Sequence, residues 1–338
     1  MGLYWAVAKP ALFSLPPEAA HQLANRLLDL PLPWERIGGA ADDPRLHGKL
    51  AGIELRNPVG LAAGFDKTGR RLGALGRLGF GYVVGGTITR APRGGNPKPR
   101  VVRYRERRSI VNSMGLPNAG AEAAAHHLAA GERTTPRFAS IADEDLPDAL
   151  TTHALLEPHV DAIELNASCP NVSWGRDRDN EAHLAKLVRE LGLRRTKPLF
   201  VKLPPFRTDV EREVVLALAR IAHEGGADGL TCSNTRPVLD ARQAVGSGGL
   251  SGKAVFEDTI RIVRETRRAT EGSIPINACG GVFSAADAVA CIEAGATTVQ
   301  VYTGLIYRGP RIVREITSGL AETLRTRRIE IGALVGAA

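Results

Sequence analysis

The run Asp161-Ala-Ile-Glu-Leu165, followed by Asn166-Ala-Ser-Cys169-Pro-Asn171, decides the fold of this chain. The first five residues read as a short apolar strand. The turn-forming segment after them then lies at the strand's C-terminal mouth, where parallel α/β barrels keep their chemistry. The construction recurs. From Val59 onward, short apolar runs alternate with helix-like stretches, the pattern of parallel strands joined by helical crossovers. Strands are predicted over 58–63, 80–86, 137–142, 161–166, 198–203, 228–233, 274–278 and 297–302. In one intervening helix Val214, Leu216, Leu218, Ile221 and Ala222 form an apolar face, and Gly225-Gly226 supplies the stop. The fold class is therefore α/β, a (β/α)8 TIM barrel.

Two segments fall outside that alternation. Thr89 to Leu116, rich in Pro, Gly and Arg, is too long for a turn and reads as an excursion over the barrel mouth. Residues 1–45 read as a helical extension ahead of a catalytic barrel at 46–338, with helices at Leu3 to Leu12 and Pro17 to Leu30. In the extension Tyr4, Trp5, Val7, Ala8, Leu12 and Phe13 form an apolar surface, with Lys9 and Arg26 in water.

The 338 residues, 43% of them apolar, suffice for one large barrel plus this appendage. No apolar run is long enough to span a bilayer, and no secretory leader is legible. Cys169, Cys232, Cys279 and Cys291 show no CxxC spacing, which argues against disulfides, zinc or iron–sulfur clusters and for a reducing cytosol. The net charge of +8 raises the question of nucleic acid, but aromatics are only 5% and the basic residues are scattered. A solvated surface, attracted at most to anionic lipid, is the better account.

At the strand mouth, two carboxamides flank a thiol and Pro170 stiffens the turn. Such a group can hold a planar polar substrate while the sulfur or its thiolate takes a proton from carbon. A half-buried turn cysteine is the plain alternative, and the neighbouring motifs weigh against it. Ala62-Ala63-Gly64-Phe65-Asp66-Lys67 again follows an apolar run. Then come Asn112-Ser113-Met114-Gly115-Leu116, Phe200-Val201-Lys202, Cys232-Ser233-Asn234-Thr235 and Gly248-Gly249-Leu250-Ser251-Gly252, and finally Cys279-Gly280-Gly281 and Val301-Tyr302-Thr303-Gly304. Lys202, closing an apolar strand, has reason to point inward only if it meets negative charge. No GxGxxG follows a strand, so a dinucleotide site of the NAD type is not expected.

In this order and at this spacing the motifs, from about Tyr4 to about Glu315, resemble the dihydroorotate dehydrogenases, FMN enzymes of pyrimidine synthesis. The resemblance implies oxidation of (S)-dihydroorotate to orotate, with Cys169 as the base. Orotate would be held by Asn112, Asn166, Asn171 and Asn234, with Thr235 and the turn Met114, Gly115, Leu116 beside them. Lys67 would meet the substrate carboxylate and the flavin edge, and Lys202 would stabilise the anion of the reduced flavin. Ala63, Gly64, Thr87, Asn166 and Ser233 would touch the flavin. Gly280, Gly281, Tyr302 and Thr303 would hold its phosphate, with Gly248, Gly249 and Ser251 completing the cradle.

Residues 1–45 resemble the extension of the quinone-using, membrane-associated branch, and His21 stands in a matching stretch, Pro17-Glu-Ala-Ala-His21. This implies a membrane quinone as electron acceptor and a cytoplasmic enzyme bound peripherally to the inner face of the cell membrane. A helical hairpin that merely packs on the barrel is the other reading. Asn96-Pro-Lys-Pro-Arg100, and Arg100 together with Tyr302, side with the quinone branch, whereas a cysteine base belongs to the soluble branch. A thiol with an ordinary pKa of about 8.5 suits base chemistry near neutrality.

The chain departs from the family elsewhere. At the third strand Ala139-Ser140-Ile-Ala-Asp143-Glu144 lacks the usual glycine, lysine and asparagine, so Ser140 would supply a flavin contact. Ser113 stands where an arginine is usual, and Val172-Ser-Trp174-Gly replaces Thr-Pro-Gly after the base. These changes leave two alternatives: a paralogue that desaturates another cyclic amide or acid, and a non-catalytic barrel that binds a phosphorylated ligand.

Overall fold

The computed structural model describes residues 8–142, 145–168 and 180–337. In chain order the strands are β1 (Gly48–Leu50), β2 (Ile53–Leu55), β3 (Val59–Leu61), β4 (Tyr82–Ile88), β5 (Val101–Tyr104), β6 (Ser109–Asn112) and β7 (Arg137–Ile141). They continue as β8 (Ala162–Asn166), β9 (Leu199–Lys202), β10 (Gly229–Cys232), β11 (Arg236–Leu239), β12 (Ser247–Gly252), β13 (Ile276–Cys279) and β14 (Thr298–Val301). Strands β3, β4, β7, β8, β9, β10, β13 and β14 pair in that order and close on β3 as a parallel barrel. Each coincides with a strand expected from the sequence, shifted by no more than two residues at an end.

Three inward layers fill the barrel, because alternate residues of a strand face one side. In the lowest, the Tyr82, Phe138 and Phe200 rings stack with centroids 4.9 and 5.3 Å apart. Gly60 and Gly229 make room for them: a Cβ there would fall 2.3 Å from the Tyr82 ring and 2.2 Å from that of Phe200. The β1–β2 hairpin closes this floor with Leu50 and Leu55. The middle layer is polar and hydrogen-bonded. Thr231 Oγ1 donates to Glu164 Oε2 (2.9 Å), Asn277 Nδ2 to Thr231 Oγ1 (3.3 Å) and Thr298 Oγ1 to Asn277 Oδ1 (2.7 Å), and Tyr82 Oη lies 2.8 Å from Thr298 Oγ1. The top layer, with Asn166, Lys202, Cys279 and Gln300, opens on the mouth.

The helix Asp209–Glu224 begins with a capping box between Thr208 and Glu211. Gly226, at φ +90°, ends it as expected, Ala227 N donating back to Ala222 O (2.9 Å). Its buried face is Val215, Leu216, Leu218, Ala219 and Ala222. Val214, expected on that face, instead lies 41% exposed.

The excursion from Thr89 contributes β5 and β6 to an antiparallel sheet in the order β11-β12-β6-β5. Gly248, Gly249 and Ser251, expected to complete the phosphate cradle, are part of strand β12. A Cβ on Gly248 would stand 2.8 Å from the Asn112 carbonyl oxygen and one on Gly249 1.9 Å from Thr235 Oγ1. These glycines permit close packing within the sheet, a need that looks in sequence like a flexible loop.

In the extension, α1 spans Lys9–Ser14 and α2 spans Pro17–Leu28. Helix α1 therefore runs past its expected end at Leu12; Tyr4, Trp5 and Val7 lie outside the described residues. Arg103 Nη1 on β5 donates to the Leu12 carbonyl (3.1 Å), its Nη2 to that of Leu15, and Arg105 Nη2 to that of Phe13, so two arginines satisfy the open carbonyls of the helix end. Phe13 is buried with Ile110, Phe283 and Tyr307, under the Arg103 guanidinium 4.7 Å from its ring centre. Glu18 of α2 accepts from Arg100 Nε (3.1 Å) and Nη2 (3.0 Å). Leu46 is fully buried in the main core.

Candidate active site

A cavity of about 1790 Å³ runs from the upper barrel layer, under the four-stranded sheet, to the space between α1 and α2. Its wall brings together most of the residues expected at the site. Ala63, Gly64 and Lys67 come from the loop after β3, and Thr87 from β4. Asn112, Met114, Gly115 and Leu116 come from the excursion, and Asn166 and Lys202 from β8 and β9. Ser233, Asn234, Thr235, Gly248, Gly249, Ser251, Gly280, Gly281, Tyr302 and Thr303 complete it. Cys169, Asn171 and Trp174 lie outside the described residues, as do Asp143 and Glu144.

One hydrogen-bonded chain orients two of the carboxamides. Asn166 Nδ2 donates to Thr87 Oγ1 (3.0 Å), while Asn166 Oδ1 accepts from Ser168 Oγ (2.7 Å). Ser168 Oγ accepts in turn from Asn234 Nδ2 (2.7 Å), and Asn234 Oδ1 accepts from Thr235 N (2.7 Å). Ser168 was not legible as functional, because a serine in a turn normally serves its own backbone. Ser140 corrects an expectation: it is fully buried behind Thr87, 3.1 Å from its Oγ1, and is absent from the cavity wall. It supports Thr87 and does not itself contact a ligand there.

Ser113 also finds a partner that the sequence did not reveal. Its Oγ donates to Gln243 Oε1 (2.8 Å), and Gln243 Nε2 donates to Val111 O (3.0 Å), so Gln243 on the β11–β12 connection braces the Asn112 turn. Arg100, 9% exposed, donates to the carbonyls of Gly94 (2.8 Å) and Asn96 (3.1 Å), and Asn96 Nδ2 to that of Ser113 (3.0 Å). The segment Asn96–Arg100 thereby shapes the loop that carries Met114 and Gly115.

Two lysines of the wall have buried ammonium groups. Lys67 Nζ donates to Gly64 O (2.7 Å), and burial pulls its ammonium down to about 8, with Arg100 adding to the fall against Asp66 and Glu18. Lys202 is 5% exposed. Burial opposes its charge, yet Cys279 and Glu164 leave its pKa above the usual lysine range. Between α2 and the barrel, His21 lies 5.3 Å from the Phe65 ring, itself 5.7 Å from Tyr302. Burial, with Lys67 beside it, pushes the His21 imidazole down to about 3, so it is neutral near pH 7.

The wall suits a planar, phosphate-bearing cofactor. Among the described residues, the backbone N–H groups of Gly280, Gly281, Thr303 and Gly304 have no acceptor, and Thr303 Oγ1 donates to Ser251 Oγ (3.0 Å) beside them. Unpaired N–H groups at the last two barrel strands are the donor set a phosphate takes. A Cβ at Gly281, φ +75°, would strike Phe256 backbone at 2.8 Å, so the close turn requires glycine. Both amide atoms of buried Gln300, on the inward face of β14, also lack partners among the described residues.

A family model described as dihydroorotate dehydrogenase matches residues 45–324. Dihydroorotate dehydrogenase (quinone) of Paracidovorax citrulli is 36% identical over 94% of this chain and 97% of its own length. Its counterpart in Verminephrobacter eiseniae is 38% identical over 92% and 93%. Among solved structures, ligand-free DHODH from Eimeria tenella superposes with a TM-score of 0.83 at 30% identity, covering 95% of this chain and 99% of the other. The same enzyme in complex with ferulenol gives 0.82 at 28% identity, covering 96% and 98%.

Proposed function

The chain belongs to the dihydroorotate dehydrogenase family, and from that membership we propose that it oxidises dihydroorotate to orotate on bound FMN and passes the electrons to a membrane quinone. The observation that carries this reading is the continuity of one cavity. It joins the carboxamides Asn112, Asn166 and Asn234, the lysines Lys67 and Lys202 and the donors of Gly280, Gly281 and Thr303 to the space between α1 and α2.

When bound, the flavin supplies the hydride acceptor for the substrate's C–C bond. The chain's own residues do the rest. Asn112, Asn166 and Asn234, with Asn171 and Thr235, hold the ring of dihydroorotate by its amide edges. Lys67 pairs with the substrate carboxylate. Cys169 takes the proton from the ring carbon. The free N–H groups after β13 and β14 hold the phosphate, and Gly64, Ala63 and Thr87 border the ring. Lys202 opposes the negative charge that develops on reduction.

The quinone arm rests on the extension. Neutral His21, Phe65 and Tyr302 line the passage between α2 and the barrel. Leu23 and Leu27 of α2, and Leu30 just past its end, are 39–48% exposed and give this end of the extension an apolar outer surface suited to a membrane. Among the described residues no helix is long and apolar enough to cross a membrane; the proposed contact is peripheral, at the inner face of the cell membrane. The continuous passage from the polar wall to α1 and α2 favours the quinone acceptor over that implied by a cysteine base.

Two measurements test this reading. Flavin released from the denatured protein is expected to be FMN; release of FAD contradicts the phosphate site. Deleting residues 1–45 lowers turnover with a membrane quinone at least tenfold while flavin reduction by dihydroorotate changes less than twofold. Equal losses reduce the extension to a structural support.

A further inference from the structure

The middle barrel layer holds a carboxylate that the reaction does not use. Glu164 is 1% exposed; Oε2 accepts from Thr231 Oγ1 (2.9 Å), and Oε1 has no hydrogen-bond partner among the described residues. A buried carboxylate with an unsatisfied oxygen is costly unless a positive charge compensates. The neighbouring strand provides one. In the register of β8 and β9, Glu164 pairs with Phe200 and Asn166 with Lys202, so inward-facing Glu164 lies one layer below inward-facing Lys202.

We propose that Glu164 is the counter-charge of Lys202, a positioning residue that keeps this lysine protonated at the floor of the flavin cavity without itself reaching the ring. The proposal rests on the reading that flavin fills this cavity. Among the described residues the other titratable group facing Lys202 is Cys279 of β13; its thiolate would also hold the lysine's proton, but burial pushes the thiol up and keeps it neutral near pH 7, which leaves that part to Glu164. Asn166 and Thr231, which flank Lys202 on the adjoining strands, carry no charge. A lysine buried in this way without a partner loses its proton, and a neutral amine does not oppose the charge of a reduced flavin. The arrangement separates two tasks: Lys202 faces the cofactor, and Glu164 beneath it holds the proton in place.

Glu164→Gln keeps the shape and the bond to Thr231 but removes the charge. In the Lys67→Met holoenzyme, which lacks the other lysine at the flavin edge and its step near 8, the visible flavin band is titrated between pH 6 and 10. With Glu164 intact it is expected to stay flat. Glu164→Gln is expected to show a transition displaced downward by about 2 pH units or more, absent when Lys202→Met is added. A flat Glu164→Gln titration, or a transition that survives Lys202→Met, overturns the proposal. A second readout needs neither the single Glu164 variant nor a bound flavin, and so separates failure of the charge pair from failure of the cofactor reading. Adding Glu164→Gln to Lys202→Met is expected to raise the urea midpoint above that of Lys202→Met alone, because it removes an orphaned carboxylate; a further fall contradicts the pairing.

Discussion

Lys67 sits where burial and function pull in opposite directions. Its ammonium is drawn down to about 8 by burial first, yet pairing with a substrate carboxylate requires the charge. The KM for dihydroorotate is therefore expected to rise as the pH passes upward through about 8, where the free enzyme loses that proton. Lys67→Met raises KM and abolishes this limb; a KM independent of pH from 6 to 10 contradicts the assignment. Cys169→Ala is expected to keep the flavin but slow its reduction by dihydroorotate about 100-fold or more in rapid mixing. Unchanged kinetics remove the thiol from the proton transfer. At this scale the sequence revealed residues whose chemistry is unusual for their place, such as Lys202 at the end of an apolar strand. It did not reveal Ser168, Gln243 or Glu164. Their partners are 66, 130 and 67 residues away in the chain, and each residue taken alone looks ordinary.

Among the elements, α1 owes its place to side chains from elsewhere. Six residues make a helix too short to hold by itself, and its final carbonyls are met by Arg103 and Arg105 across the excursion sheet. Replacing both arginines with alanine is expected to free α1, seen as faster amide exchange over residues 9–14 and lower quinone turnover, with dihydroorotate still reducing the flavin at the native rate. Unchanged exchange shows that Phe13 packing alone suffices. The end at Ser14 also has a local cause, since Pro16 holds Leu15 extended, and the arginines then meet the carbonyls left open there. In β12, the glycines expected in the phosphate cradle serve close strand packing against Asn112 and Thr235. The barrel strands were legible because burial on both faces leaves near-continuous apolar runs, whereas the edge strands β5 and β11 are part-exposed and carry no such run.

The whole molecule is a barrel graded from an aromatic floor, through a polar middle, to a mouth roofed by a sheet and an N-terminal extension. The barrel order could be read from one period repeated along the chain; the roof could not, since β6 lies between β5 and β12 across more than a hundred residues. The central claim is that this cavity lets dihydroorotate reduce a bound flavin, and an anaerobic absorbance spectrum before and after adding dihydroorotate tests it most directly. The account predicts a yellow protein whose flavin band bleaches. A yellow protein that stays yellow would contradict the substrate assignment, and a colourless one that FMN cannot reconstitute would contradict the cofactor site itself.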